Sequence, residues 1–105
     1  MRNLNSILLE GDLIDQPVSS TNSDGVVQCT FSLTSGDNAP SVPVIAYGKL
    51  AIRCSELLDK GAAIRIVGQI AQDLEASAAT GSFCLRVIAE HVEIKPKVSS
   101  RAEVA

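Results

Sequence analysis

Val27, Cys29, Phe31 and Leu33 alternate with Gln28, Thr30 and Ser32 in the stretch VVQCTFSL. A period of two is the signature of a strand with one buried face. The same period returns in VPVIAYG, where Val42, Val44 and Ala46 share one face and Pro43, Ile45 and Tyr47 the other. Pro43 argues against a central position for that strand, or for a bulge in it. In AIRIVGQI, Ile64, Ile66 and Ile70 line one side, with Gly68 at a bulge-like position, and Arg65, Val67 and Gln69 face away. SFCLRVIAEHVEIK closes the series, with Phe83, Leu85 and Val87 expected to face inward and a change of phase near Ala89. NSILLEGDLIDQPV, residues 5–18, is an apolar run broken by Gly11, which suits a first strand with a kink or bulge at the glycine.

One segment departs from this period. From Leu50 to Lys60 the apolar residues Leu50, Cys54 and either Leu57 or Leu58 form a helical stripe. Lys60 suits a last helical turn and Gly61 a stop, so a helix is expected within about residues 49–61. The remaining segments predict connections. SSTNSDG is dense in turn formers and carries the hairpin signal Asp24-Gly25; TSGDNAPS and ASAATG read as loops. The chain is polar without periodicity from Pro96 onward, which predicts a frayed tail. The order is three strands, a helix and two strands. That predicts an all-β fold: a five-stranded barrel with one short helix between strands 3 and 4, the oligonucleotide/oligosaccharide-binding (OB) architecture. The expected division is a barrel domain over residues 1–97 and a short flexible tail over 98–105.

A chain of 105 residues with 46% hydrophobic and 20% charged residues fits one globular domain. No apolar run approaches the roughly 18 residues of a membrane span. The apolar run Ile7–Leu9 is too short for a signal peptide, which predicts a cytoplasmic protein. Cys29, Cys54 and Cys84 are odd in number, widely spaced and set in apolar patterns, as reduced buried thiols are. With one histidine, His91, and no Cys-x-x-Cys pair, a zinc site lacks ligands. His91, amid apolar alternation, is expected to be structural. No phosphate loop, nucleophile motif or paired carboxylates are visible, so neither an enzyme nor a cofactor is expected.

Several stretches, taken in order, resemble the bacterial single-stranded DNA-binding protein family. NSILLEGDLIDQP is similar to the family's opening strand, VVQCTFSLTS to its second, and VIAEHVEI to its closing one. AYGKLAIRCSELLDKGAAIRIVGQI is the most specific piece, with its aromatic-Gly-Lys-Leu-Ala start, leucine helix, Lys-Gly and Val-Gly-Gln strand. The match runs from about Asn5 to Pro96. It implies binding of single-stranded DNA in replication, repair or recombination, through a basic groove and aromatic side chains on which bases stack. It also implies a homo-oligomer, with a tetramer favoured over a dimer, paired through the first strand at Ser6, Ile7, Leu8 and Leu9.

The resemblance thins where bases would stack. SGDNAP holds no aromatic, Ser41 stands where the third strand usually begins with one, and Leu74 or Glu75 replaces a tryptophan; only Tyr47 is retained. Phe31 and Phe83 alternate with polar residues and are expected in the core. The nucleic-acid-binding candidates are Tyr47, Lys49, Arg65, Lys60 and Arg86, although the helix terminus alone would account for Lys60, and edge protection for Arg65. Asp73 and Glu75 lie where the family often carries basic residues, and the net charge is -3. The family's Gly- and Pro-rich tail with an acidic tip, which recruits replication proteins, has no counterpart in KVSSRAEVA. Two functions are therefore expected in competition: weak, non-catalytic DNA binding, or a barrel repurposed for protein contacts in a primosome-like assembly.

Overall fold

The computed structural model describes residues 4–36 and 39–95. In chain order the elements are β1 (Ile7–Leu13), β2 (Val18–Thr21), β3 (Val27–Thr34), β4 (Ser41–Tyr47), α1 (Gly48–Leu57), β5 (Ala63–Gln72), α2 (Leu74–Thr80) and β6 (Leu85–Ile94). The hydrogen-bonded order is β1-β5-β6-β4-β3-β2, and a further pairing of β1 with β3 closes the sheet into a barrel. All ladders are antiparallel except the short parallel contact of β4 with β6, at Val44–Val87 and Ile45–Ile88. This is the five-stranded OB barrel, with α1 between its third and fourth strands. β2 is an added segment paired only with β3.

Closure depends on β1 changing partner along its length. Ile7 to Asp12 pair with β5, whereas Asp12 and Leu13 pair with β3. Gly11 sits at the crossing. A Cβ there would lie 2.5 Å from the backbone oxygen of Thr34, so only glycine lets the two strands approach. A register shift between Val67 and Gly68 leaves Glu90 of β6 without an opposite residue. The bulge moves β6's inward positions from Val87 and Ala89 to Val92, which is the phase change expected near Ala89.

The core forms where the inward faces meet: Cys29, Phe31 and Leu33 of β3, Val44 and Ala46 of β4, and Ile64 and Ile66 of β5. Each fully buried aliphatic side chain contributes about 1.5–3 kcal/mol relative to exposure. Ala51 and Cys54 of α1 and the following Leu58 plug one end. Of the two leucines left open by the helical stripe, Leu58 is the core residue, and Leu57 is 54% exposed.

Several expectations are corrected. The SSTNSDG stretch begins with strand residues: β2 covers Val18–Thr21, all exposed and paired along its backbone to β3. The turn is confined to Asn22–Val26, where the Asn22 side chain accepts from the N–H groups of Asp24 and Val26. Pro43 lies in a central strand, between β3 and β6, one residue before the parallel pairing starts. The helix ends at Leu57, so Lys60 and Gly61 do not cap it. They form the next turn, in which the Ala62 N–H donates to the Asp59 carbonyl. ASAATG belongs to α2, capped by the Asp73 carboxylate on the Ala76 N–H at 3.1 Å. Ile70, Phe83 and Leu85 are not core: they are 41%, 71% and 46% exposed. The tail expected over 98–105, and the boundary before it, lie outside the described residues.

Candidate nucleic-acid interface

The outward residues of β3, β4 and β6 form one continuous face. Gln28, Thr30 and Ser32 stand opposite Tyr47, Ile45 and Pro43; Ile45, which is buried, is beside Ile88, which shares its side of β6 with Arg86. Tyr47 and Arg86 meet across this face: the guanidinium Nη2 donates to the Tyr47 hydroxyl at 3.2 Å. On its other side Arg86 faces the Asp73 carboxylate at 3.7 Å. Its Nε is buried and has no hydrogen-bond partner among the described residues. An unmet buried donor costs about 1–3 kcal/mol, and this one is shut away from any incoming ligand. Beside it, Asp15, Val18, Thr30, Pro43 and Ile45 line a groove of about 270 Å³. A larger hollow of about 410 Å³ between α1 and the end of β6 is lined by Leu50, Leu57 and Ile94 and touches neither Tyr47 nor Arg86.

Tyr47 owes its place to the β4–α1 junction. The chain reverses at Gly48, whose φ of +65° is strained for any residue with a Cβ. Lys49 follows on the first turn of α1 and is exposed. Lys60 is exposed on the turn after α1, its N–H held by the Gln16 side chain at 3.1 Å. Neither lysine makes an ion pair with a described residue. Arg65 stands apart from the Tyr47–Arg86 pair. It binds Glu10 of β1 at 2.7 Å and faces Glu93 of β6 at 3.6 Å. The hydrogen bond from Arg65, and then the charge of Lys95, holds the Glu10 carboxyl below its ordinary value. The same bond raises Arg65. Both side chains are open to water, and such pairs add little stability. Arg65 is thus held by two acids, Glu10 and Glu93, and Arg86 by one, Asp73.

No protein-family model matches the sequence, and no curated protein does. Solved structures do. The wild-type single-stranded DNA binding protein from Thermus aquaticus superposes with a TM-score of 0.76 at 26% identity, over 90% of this chain and 41% of that one. The chain is similar to this single-stranded DNA binding protein in fold and, more distantly, in sequence. A deletion variant of the Thermus aquaticus protein gives 0.75 at 25% identity, over 90% and 42% of the two chains. The chain therefore spans about two-fifths of these relatives' length. The SSB domain of a Synechococcus protein gives 0.74 and is covered over 98% of its length, with 89% of this chain; at 12% identity it supports the fold alone.

Within this fold one aromatic escaped the sequence reading. Phe83, expected in the core, is 71% exposed on the segment between α2 and β6. Alternation with Leu85 and Val87 hid it. The usable signal was its distance from Val87, the first buried residue of β6. The buried cysteines behave as expected: burial raises both thiols, and Cys54 reaches about 11 with a smaller push from Cys29. Cys84 is partly exposed, so the expectation of three buried thiols is corrected there.

Proposed function

We propose that this protein binds single-stranded DNA without catalysing a reaction on it, in the cytoplasm, in the service of replication, repair or recombination. The observation that carries this reading is the Tyr47–Arg86 pair, an aromatic ring and a guanidinium side by side on the barrel's outer face. Binding is weak per protomer. Stacking is worth about 1–3 kcal/mol per base, the face offers few rings, and Asp15 and Asp73 oppose phosphates beside Arg86. A homo-oligomer recovers part of the loss through effective concentration. Support for assembly comes from β1: Ile7 to Gly11 pair with β5 on one side only, which leaves an edge at Ile7, Leu8 and Leu9 for a second copy. We favour a tetramer. Ser6 adjoins this edge, and replication proteins are the partners in keeping with this role.

Titration of labelled oligo-dT tests the assignment. Tyr47→Ala is expected to cost about 1–3 kcal/mol with little change in salt dependence. Binding indifferent to both Tyr47→Ala and Arg86→Ala would place DNA on another face. A second reading, a barrel used for protein contacts in a primosome-like assembly, is favoured by the carboxylates that hold both Arg65 and Arg86.

A further inference from the structure

The groove beside Arg86 lies on the same face as Tyr47, and strand register places it there. Pro43, Ile45 and Tyr47 share one side of β4; Ser32 stands opposite Pro43, Thr30 opposite Ile45 and Val18 opposite Thr30. Val18, Pro43 and the buried Ile45 give the groove apolar walls, and Thr30 and Ser32 give it hydroxyls. Its two sides are charged. On the β6 side Arg86 faces Asp73 at 3.7 Å. On the β3 side is Asp15, placed by its neighbour Ile14, whose N–H donates to the Ser32 carbonyl at 3.0 Å. Asp73 is committed twice, to Arg86 and to the Ala76 N–H. Asp15 is exposed and forms no ion pair among the described residues. Its carboxylate is the open acceptor of the groove.

We propose that this groove takes one base of a bound strand and selects, through Asp15, for a base with an exocyclic amine. The assignment rests on the DNA-binding reading above and adds to it a choice among bases. The volume of about 270 Å³ lies below the roughly 300–1,000 Å³ of sites for drug-sized ligands and suits a single base. Asp15 repels a phosphate, so a base edge rather than the backbone enters on the β3 side. A carboxylate only accepts hydrogen bonds. The exocyclic amines of cytosine, adenine and guanine donate to it, whereas thymine presents a carbonyl oxygen where cytosine carries its amine. The Thr30 and Ser32 hydroxyls donate or accept by rotating, so they do not discriminate. An acid that weakens binding to strands in general thus weakens it most for thymine.

Oligo-dC and oligo-dT of equal length are titrated against the wild type and Asp15→Asn, in mildly alkaline buffer that keeps oligo-dC single-stranded, and circular dichroism checks that both proteins fold. Asparagine keeps the shape of aspartate and offers an amide donor to a thymine carbonyl. The readout is the ratio of the two affinities, in which the general gain from deleting a negative charge cancels. The wild type is expected to favour oligo-dC by roughly fivefold or more, and Asp15→Asn to lose that preference. Equal wild-type affinities, or a preference for oligo-dT, would overturn the proposal while leaving DNA binding in place. An oligo-dC preference that Asp15→Asn retains would also overturn it, assigning the choice of base to another part of the surface. Binding of neither oligonucleotide by the wild type would overturn the DNA reading itself.

Discussion

Asp73 does two things at once: it caps α2 through the Ala76 N–H and it faces Arg86 at 3.7 Å. Asparagine is as good a cap as aspartate but carries no charge. Asp73→Asn is therefore expected to keep the fold, free Arg86 for a phosphate and strengthen binding. The slope of log affinity against log salt should steepen by about 0.7, one phosphate on a single strand. Lys49→Ala should lower that slope by about the same amount if its ammonium meets the backbone. Unchanged slopes in both variants would remove these residues from the phosphate track. The thiols give a test free of ligand. At pH 8 iodoacetamide should modify Cys84 in the native protein and all three cysteines in urea, because Cys29 and Cys54 are buried and their thiols raised, Cys54 to about 11. A thiol raised in the fold keeps a proton that the unfolded chain releases. Stability is therefore expected to fall as pH rises above about 8.5, read from urea midpoints across that range. Native labelling of Cys54 as fast as Cys84 would contradict the packing of α1 on β3.

At the scale of elements, the barrel hinges on the crossing at Gly11. Gly11→Ala sets a Cβ 2.5 Å from the Thr34 oxygen, and backbone cannot yield as a side chain end can. A loss of about 1–3 kcal/mol is expected in urea melts; an unchanged midpoint would mean that β1 does not bridge β5 and β3 as described. The elements that could be read from sequence were those that bury a face. Period two in β3 and β5, and the stripe through Leu50, Cys54 and Leu58, follow from contact with the core. The elements that escaped bury nothing: β2 is exposed throughout and exists only by pairing, and α2 has no buried residue and rests on the Asp73 cap. Tyr47 and Arg86 lie on strands that the alternation made legible, and the bond between them was not readable from sequence. The pairing of Arg65 with Glu10 was not, since those residues are joined only by the β1–β5 register. Phe83 was misplaced because alternation continues past the point where the core ends.

At the scale of the molecule, the open edge of β1 and the sparse stacking face belong to one account: weak sites gathered by assembly. Light scattering is expected to give a mass near four chains rather than the single chain's 11.0 kDa; a stable monomer at tens of micromolar would remove the recovery of affinity by effective concentration. The most direct test of the central claim is fluorescence titration of the wild-type protein with labelled oligo-dT at two salt concentrations, about 50 and 200 mM. The account predicts saturable binding at the lower salt that weakens measurably at the higher. No binding at the lower salt would contradict it and would favour the barrel as a protein-contact module.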